Sequence, residues 1–454
     1  MIQLPDTFSD TVPLDESEKK RFLHALNEIP PVSVRINPRK LKSPLPLENV
    51  SWCNDGYYLP QRPVFTFDPV FHAGAYYVQE ASSMMIGEIV KTISDQTVIS
   101  VALDMCAAPG GKSTHLLSVL PEETLLICNE VVSARIGALN ENILKWGNCN
   151  VCITQNDSSD FSNTENLFDL IVADAPCSGE GMFRKEEAAL SEWNLKNVDM
   201  CAERQKNILQ NILPSLKPGG FLIYSTCTYN EKENEENVKF LLTDFDLEIF
   251  DLSAINISGV VIYKNTMRFF PHHVKGEGLF IAVFRKRESD FSLFKSRKIN
   301  VKKLRPFDGE NYIGSDRERF VFFENGHQIS FFPETHFQCI ESLRKKLRFH
   351  RIGTVLGEQK GTEFIPSHEL FLSNYFDKNS LPNAELNYED AVNFLSKEPV
   401  TFLPDHKGWG YFTYQFLPLG GYKSVPGRIN NYFPKELKIR KKYEAKNKFS
   451  LLSL

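Results

Sequence analysis

The stretch FLIYSTCTY, residues 221–229, decides the fold that we expect for this chain. It follows Lys217-Pro218-Gly219-Gly220, a run that predicts the end of a helix. The apolar first half of the stretch predicts a buried strand, and the change to polar residues at Ser225 places Cys227 at its carboxyl end. Ligands bind at that end of the strands in open parallel α/β sheets, so we expect Cys227 to face a ligand.

A second apolar run ends in the same way. Residues 170–177 read LIVADAPC, so Asp174 and Cys177 follow another predicted strand. The interval between Cys177 and Cys227 is about the length of one crossover unit with a long helix. We therefore predict that both thiols lie in one active site, at the same edge of the sheet.

Length and composition are typical of a globular protein. The chain has 454 residues, 42% of them hydrophobic and 24% charged, which favours about three domains. The net charge of −5 does not by itself indicate a nucleic-acid binder. The nine cysteines, an odd number, favour a reducing compartment over a disulfide framework. Residues 1–15 lack the apolar core of a signal peptide, and no apolar run is long enough to span a membrane, so we expect a cytoplasmic protein without membrane contact.

Strand-like and helix-like segments alternate from about residue 98 to 287, which predicts an α/β fold: a doubly wound parallel sheet with helices on both faces. The predicted strands are Val98–Asp104, Leu125–Glu130, Val151–Asn156, Leu167–Asp174, Phe221–Thr226, Leu247–Leu252 and Leu279–Arg285. The predicted helices are Lys112–Leu120, Ala134–Trp146, Ser191–Leu216 and Glu231–Leu242. The predicted division is an N-terminal region at 1–95, a catalytic domain at 96–288, a basic linker at 289–305 and a compact β-rich module at 306–454.

A loop of small residues follows the first predicted strand of the catalytic domain. It comprises Cys106, Ala107, Ala108, Pro109, Gly110, Gly111 and Lys112. Its glycines allow a close backbone approach to a ligand, and the helix that follows offers free N–H groups. Gly111-Lys112-Ser113 is the final triplet of a phosphate-binding loop, but that pattern requires glycine where Cys106 stands.

Acids at the ends of the next strands predict which cofactor binds. Glu130 lies about 20 residues beyond Gly110, the spacing at which a carboxylate takes ribose hydroxyls, and Asp157 ends the third strand, where it could hold an adenine amino group. The predicted site would bind ribose and adenine but lacks a phosphate-binding loop. This combination points to S-adenosylmethionine rather than ATP or NAD. Lys112 neutralises the cofactor carboxylate or organises the loop, and Arg135 supports Glu130 or is a solvated charge.

Several motifs together resemble the Sun-type RNA (cytosine-5)-methyltransferase family. The resemblance is carried by DAPCSGEG at 174–181 and STCT at 225–228, with the loop at 106–112, YYVQEASS at 76–83 and PHHVKGEG at 271–278. LGGYK at 419–423 and NNYFPK at 430–435 are similar to the bacterial branch that modifies small-subunit ribosomal RNA. Where that branch has a tryptophan–glycine pair, this chain has Gly421-Tyr422.

The resemblance implies a Rossmann-like methyltransferase sheet with an N-terminal α+β RNA-binding region and a C-terminal PUA-like module. It implies a monomeric enzyme that uses S-adenosylmethionine to make 5-methylcytosine in 16S ribosomal RNA. A thiolate must add to carbon 6 of cytosine before carbon 5 can accept a methyl group. DNA cytosine-5 methyltransferases use the Pro-Cys thiol, which would be Cys177. The RNA family implies Cys227 as the nucleophile, Cys177 for product release and Asp174 at ring nitrogen 3.

Other patterns leave alternatives open. Cys149 and Cys152 have C-x-x-C spacing but no second ligand pair, so we predict no metal ion. His272 and His273 are ligands, bases or packing residues. The basic stretches 285–305, 344–351 and 435–448 are solvated faces or RNA contacts, and Phe349 in the second of them could stack on a base. A P-loop ATPase and a catalytically silent RNA-binding assembly factor remain the alternative functions.

Overall fold

The N-terminal region combines helices with a small antiparallel sheet. The computed structural model describes residues 3–42, 44–289, 294, 304, 307–402 and 404–454. The helices are α1 (Phe8–Thr11), α2 (Glu16–Ala25), α3 (Pro69–His72) and α4 (Met85–Ser94), and the strands are β1 (Val32–Ile36), β2 (Asn49–Val50), β3 (Cys53–Leu59) and β4 (Tyr76–Val78). The strands pair in the order β2-β3-β1-β4.

Helix α2 is fixed at both its start and its apolar face. The Asp15 carboxylate caps it by accepting hydrogen bonds from the backbone N–H groups of Ser17 and Glu18, both at 2.9 Å. The ring of Phe22 packs edge-on against Tyr229 and Phe270, with centroid distances of 4.8 and 5.9 Å. The N-terminal region therefore packs directly against the loop that follows Cys227.

A large mixed sheet carries the strands that the sequence predicts. Its strands from this part of the chain are β5 (Val101–Asp104), β6 (Leu125–Asn129), β7 (Val151–Thr154), β8 (Phe168–Asp174), β9 (Leu216–Thr226), β10 (Leu247–Ile249), β11 (Val261–Tyr263), β12 (Thr266–Phe269) and β13 (Leu279–Lys286). The helices are α5 (Gly111–Val119), α6 (Ser133–Trp146), α7 (Glu187–Glu192), α8 (Leu195–Ile212) and α9 (Glu235–Asp244). The described strands follow the order β11-β12-β13-β9-β8-β5-β6-β7, with β10 beside β13.

The predicted fold class is confirmed, with two corrections to the sheet and one to a helix. Strands β9, β8, β5, β6 and β7 are parallel, but β13 is antiparallel to β9, so the sheet is mixed. Strand β9 begins at Leu216, and the expected helix stop at 217–220 lies inside it. The long helix predicted at 191–216 is divided, because Asn194 caps a new helix by accepting a hydrogen bond from the N–H of Asn197.

The C-terminal region adds further strands and helices. The strands are β14 (Phe320–Asn325), β15 (Gln328–Pro333), β16 (Phe349–Ile352), β17 (Thr354–Lys360), β18 (Glu363–Pro366), β19 (Asn383–Glu385), β20 (Gly408–Tyr414), β21 (Leu417–Val425) and β22 (Arg428–Asn431). The helices are α10 (Glu334–Leu343), α11 (His368–Leu372) and α12 (Tyr388–Ser396). Two small sheets follow the orders β14-β15-β17-β18 and β19-β20-β21-β22.

Strand β16 leaves this region and joins the large sheet, antiparallel to β7. Arg351 in this strand is buried, and its guanidinium lies 2.7 Å from a carboxylate oxygen of Glu369. Phe349 packs against the core under the large sheet, so it is not the free stacking aromatic that the sequence predicts. The prediction of RNA contact over 344–351 therefore concerns the exposed cations of that stretch and not Arg351.

Most of the predicted basic linker at 289–305 lies outside the described residues, and so do several cations of the stretch at 285–305. The division into four parts stays a prediction. None of the described helices is both long and apolar enough to cross a lipid bilayer.

Candidate active site

Two neighbouring parallel strands bring the two cysteines together. Asp174 at the end of β8 lies opposite Ser225 near the end of β9. Cys177 and Cys227 follow these ends, and their sulfur atoms are 3.2 Å apart. Both cysteines are free thiols and are partly exposed to solvent. The thiols that the sequence placed in one site thus lie within hydrogen-bonding distance of each other.

The two sulfurs are not equivalent. The hydrogen bond to Cys227 raises the pKa of Cys177 well above the usual value, and burial and the charge of Glu233 act in the same direction. Cys177 therefore keeps its proton and can donate it in a hydrogen bond to the sulfur of Cys227. A thiolate at Cys227 is stabilised by such a donor.

Asp174 is held from two sides. The hydroxyl of Ser225 donates a hydrogen bond to its Oδ1 at 2.8 Å, and the Lys112 ammonium lies 2.7 Å from its Oδ2. Burial alone would lower the pKa of Lys112, but the Asp174 carboxylate more than offsets burial, and the pKa is raised. Lys112 is therefore charged, and it ties the small-residue loop to the acid beside the thiols.

The loop between β5 and α5 turns sharply at Gly110, whose φ of +112° is one that other residues rarely adopt. Below the loop, the hydroxyl of Ser113 donates a hydrogen bond to the buried Asp104 carboxylate at 2.6 Å. Burial raises the pKa of Asp104 to about 7, and the charges of Asp174 and Glu130 act in the same direction. The sequence prediction did not single out Asp104, although its place at the end of β5 was a usable signal.

Glu130 lies just beyond the end of β6 and is almost completely buried. Its Oε1 accepts a hydrogen bond from the N–H of Val132 at 2.8 Å. Arg135 Nη1 lies 3.1 Å from Oε2, and Nη2 of the same guanidinium donates to the carbonyl of Ala108. Of the two readings of Arg135, the contacts favour support of Glu130, and they add a link to the small-residue loop.

Asp157 follows β7 and is exposed. Its carboxylate accepts hydrogen bonds from the backbone N–H and the hydroxyl of Ser159, at 3.0 and 2.7 Å, and these bonds lower its pKa. The carboxylate is therefore ionised near neutral pH and free to accept a further donor.

A cavity of about 1060 Å³ opens over these strand ends. Its wall includes Met105, Cys106, Ala108, Glu130, Asp157 and Asp174, and it reaches both thiols. Oε2 of Glu130 is buried, and apart from the ion pair with Arg135 it has no hydrogen-bond partner among the residues that the structure describes. A carboxylate with an acceptor position left over, at the place where carboxylates take ribose hydroxyls, fits S-adenosylmethionine.

A second cavity, of about 420 Å³, lies between the catalytic sheet and the N-terminal region. Tyr77, Arg62 and Lys185 line it. Both cavities share Cys106, Ala108, Asp174 and Cys227. The sulfur of Cys227 therefore lies where the two cavities meet, and each cavity can hold a different ligand.

Two buried acids near the thiols escaped sequence prediction. Glu180 and Glu233 are fully buried, and Glu233 accepts a hydrogen bond from the N–H of Ser178, next to Cys177. Glu233 lies in an acidic run at the start of the predicted helix Glu231–Leu242, and acids are typical of a helix N-terminus. The acidic run does not show which of its side chains points inward, so nothing in the sequence indicates that Glu233 is buried.

The paired histidines contact the N-terminal helix α2. Nε2 of His272 and of His273 lie 2.8 and 2.7 Å from Oε2 of Glu18. Burial lowers the pKa of both histidines, that of His272 to about 4, so both are neutral at neutral pH. This geometry is explained by hydrogen bonds that fasten α2 to the 271–278 loop. Cys149 and Cys152 are both buried, and Cys152 lies in β7.

Comparison with known proteins places the chain in a family. The family model described as 16S rRNA methyltransferase RsmB/F matches residues 92–285. Models of the N-terminal domain of 16S rRNA methyltransferase RsmF and of the methyltransferase RsmF PUA domain match residues 4–81 and 381–439. Ribosomal RNA small subunit methyltransferase F of Aeromonas hydrophila is 31% identical over 435 residues, which cover 89% of this chain and 90% of that protein. The chain belongs to the ribosomal RNA small subunit methyltransferase F family.

Other similarities agree with membership of the methyltransferase F family. The relative from Aliivibrio salmonicida is 30% identical over 416 residues, which cover 86% of this chain and 85% of that protein. A structure of NSun6 from Pyrococcus horikoshii with SFG has a TM-score of 0.53 at 22% identity, over 63% of this chain and 99% of that chain, and supports the fold. The predicted family, fold class and cofactor are confirmed: the chain is an S-adenosylmethionine-dependent methyltransferase.

Proposed function

We propose that this chain methylates carbon 5 of cytidine in bacterial 16S ribosomal RNA. The observation that carries the proposal is the pair of sulfurs 3.2 Å apart, where the two cavities meet beside Asp174. One cavity would bind the methyl donor, and the other would bind the target cytosine. The family model and the relatives are described by their action on 16S or small-subunit ribosomal RNA, which supports this choice of substrate.

The first cavity is the proposed seat of S-adenosylmethionine. Glu130 would take the ribose hydroxyls, Asp157 the adenine amino group, and the loop around Gly110 the amino-acid part. When bound, this cofactor supplies a methyl group on a positively charged sulfur. Arg135 fixes Glu130 and the loop relative to each other through its contacts with both.

The second cavity is the proposed seat of the target base. A cytosine must leave its stack to reach a thiol at the edge of a sheet, which costs a few kcal/mol. Arg62 and Lys185 line this cavity and would contact the phosphates beside the extruded nucleotide. Strands β1 and β4 of the N-terminal region form the wall opposite the catalytic sheet, so we propose that this region binds RNA.

In the proposed chemistry, the Cys227 thiolate adds to carbon 6 of the base and forms a C–S bond. The electron pair of the C5–C6 double bond moves into the ring toward nitrogen 3, where Asp174 is held by Lys112 and Ser225. A proton at nitrogen 3 makes this addition easier. Because an ionised carboxylate accepts hydrogen bonds and does not donate them, we propose that the Lys112 ammonium supplies this proton through the Asp174 carboxyl group. Carbon 5 thereby becomes the nucleophile that methylation requires.

Release reverses the addition. A base removes the proton from carbon 5, the C–H electron pair restores the C5–C6 double bond, and the C–S pair returns to Cys227. The Cys177 thiol, 3.2 Å away, donates a hydrogen bond to the departing thiolate. We therefore propose Cys227 as the nucleophile and Cys177 as the residue that assists release.

The decisive experiment measures transfer of labelled methyl from S-adenosylmethionine to unmethylated 16S RNA and to assembled small subunits. We expect the wild-type chain to methylate one of these substrates and Cys227→Ala to abolish transfer. Cys339→Ala is the matched control, because this thiol lies on α10 in the C-terminal region. A wild-type chain that binds RNA but transfers no methyl would instead support the silent assembly factor.

The modified nucleotide and the state of the enzyme need separate measurements. Bisulfite sequencing of 16S RNA from a deletion strain would locate the cytidines that lose their methyl group. We also propose that the protein acts on RNA as a monomer in the cytoplasm. Sedimentation of the purified protein would test the monomer.

A further inference from the structure

Beneath the Pro-Cys loop lies a buried group of acids and amides that the chemistry above does not use. We call it the acid–amide network. It consists of Glu180, Gln205, Asn230, Glu233 and Asn237. Each member is at most 1% exposed. Buried polar side chains are retained at a cost, so a network of this kind next to reactive thiols calls for a function.

Glu233 holds both residues that flank Cys177. Its Oε2 accepts a hydrogen bond from the N–H of Ser178 at 3.0 Å. The same oxygen accepts one from Nε2 of Gln205 at 2.7 Å, and Gln205 also donates to the carbonyl of Pro176 at 3.1 Å. One carboxylate thus fixes the backbone on either side of the thiol.

The segment after Cys227 is fastened to the same network. Asn230 donates from its amide to Glu233 Oε1 and to Glu180 Oε1, both at 2.8 Å. Glu180 Oε2 accepts the N–H groups of Tyr229 and Asn230 at 2.7 and 3.1 Å. The N–H of Gly181 donates to the carbonyl of Cys227 at 2.7 Å, and a Cβ at residue 181 would lie 2.8 Å from that oxygen. The distance between the sulfurs is therefore set by the network.

The network also places two carboxyl groups under Cys177, and burial raises the pKa of one of them, Glu233. Among the described residues, neither Glu180 nor Glu233 forms an ion pair with a lysine or arginine. On the cavity side of Cys177 lie Asp174, Lys196, Asp199, Glu203, Arg204 and Cys227. Cys201 and Tyr224 face Glu233 from α8 and β9. The Glu233 charge is one of the causes that raise the pKa of Cys177.

We propose that Glu233 is the positioning residue of Cys177: it fixes the turn from Pro176 to Ser178 and so holds the sulfur where it can donate a hydrogen bond to Cys227. This inference rests on the proposed function, because the donor matters only when Cys227 leaves carbon 6. Glu233 touches neither base nor cofactor in this scheme. It acts through Cys177 alone.

The test follows the covalent enzyme–RNA adduct on denaturing gels as a function of pH. Glu233→Gln is compared with Glu231→Gln, the same exchange at an exposed position two residues earlier. Loss of the charge lowers the pKa of Cys177, so in Glu233→Gln the release of the adduct should begin to fail at a pH about one unit lower than in the wild type. Above that pH the adduct should last up to about tenfold longer than in the wild type, while Glu231→Gln matches the wild type at every pH.

A second variant separates charge from position. Gln205→Met removes the hydrogen bonds from this side chain to Pro176 and to Glu233 but keeps the carboxyl group of Glu233. The adduct should therefore last longer, with a pH profile closer to that of the wild type than the profile of Glu233→Gln. If Glu233→Gln releases RNA like the wild type at every pH, or loses activity equally at every pH, the inference is wrong. A wild-type chain that forms neither adduct nor 5-methylcytosine overturns the proposed function instead.

Discussion

The ammonium group of Lys112 lies 2.7 Å from Oδ2 of Asp174, so a single ion pair joins the small-residue loop to the strand that leads to Cys177. Lys112 is largely buried, and Asp174 is about one-third exposed on the side of the cavities. The proposed cofactor site and the proposed base site therefore share one charge pair. A change at either residue should affect both ligands.

Lys112→Met should lower kcat for methyl transfer by about 30-fold, which corresponds to about 2 kcal/mol. Asp174 would lose the cation that orients it, whereas the length of the side chain is kept. Steady-state kinetics with both substrates would measure the effect. Lys91→Met, an exposed lysine on α4, should retain wild-type rates. Unchanged kinetics for Lys112→Met would mean that the ion pair only stabilises the loop.

Cys177→Ala should accumulate a covalent adduct between Cys227 and RNA that survives denaturation. The alanine cannot donate a hydrogen bond to the departing sulfur, so release is slowed while attack still occurs. Gel electrophoresis of enzyme incubated with RNA and S-adenosylmethionine would show the adduct. If Cys227→Ala gave the adduct and Cys177→Ala abolished transfer, the two roles would be reversed.

Glu130→Gln should weaken binding of S-adenosylmethionine by about tenfold, or about 1.4 kcal/mol. The amide has one acceptor oxygen in place of two and no charge to pair with Arg135. Isothermal titration calorimetry would give the dissociation constant. Glu123→Gln, at an exposed position, serves as the control. Equal affinity in both variants would contradict the assignment of the ribose site.

Asp104 should make the folded protein less stable as pH rises from about 4 to about 7. Burial raises its pKa to about 7, so within this window the folded state holds a proton that the unfolded state has released. The contribution is lost progressively up to pH 7 and is then constant. At most it amounts to about 4 kcal/mol.

Urea unfolding of the wild type and Asp104→Asn at several pH values would test this. The free energy of unfolding of the variant, relative to that of the wild type, should rise between pH 4 and 7. Comparison of the two proteins cancels the opposite effect of His72 and His368, whose pKa values burial lowers to about 3. Parallel stability curves would show that Asp104 does not titrate in this range.

Arg35→Ala should destabilise the protein by about 3 kcal/mol, because it leaves a cavity and unsatisfied polar partners. The buried guanidinium of Arg35 donates to Gln79 at 2.7 Å and to Thr114 at 2.7 Å, and lies over the ring of Trp146. Chemical denaturation would measure the loss. Arg39→Ala, an exposed position paired with Glu122, should cost less than about 1 kcal/mol. If both variants lost the same free energy of unfolding, the buried contacts of Arg35 would not contribute to stability as we predict.

The strands around the proposed site were predictable because their apolar runs are continuous and end in polar residues. The place of both thiols followed from those strand ends. The pairing of β16 with β7 was not predictable, since the two segments lie far apart in the chain and share no local pattern. The sequence also left Lys112 with two possible roles, and its ion pair with Asp174 is a contact that no local pattern indicates.

The burial of Glu233 was hidden for a different reason. In the run Glu231 to Glu236 four of the six residues are acids, and such a run is typical of a solvated helix start. Which of these acids points inward depends on Gln205 and Ser178, which come from distant parts of the chain. The burial of Glu233 therefore depends on long-range packing, which a local sequence pattern does not show.

Strand β16 also limits what deletion experiments can reveal about the choice of nucleotide. A chain cut before residue 344 would leave β7 as an unprotected sheet edge with open N–H and C=O groups, which invites aggregation. Lost methylation in such a fragment would report damage to the catalytic sheet rather than lost recognition of RNA. Exchange of exposed residues in the last hundred positions, with the strand kept in place, is the informative route.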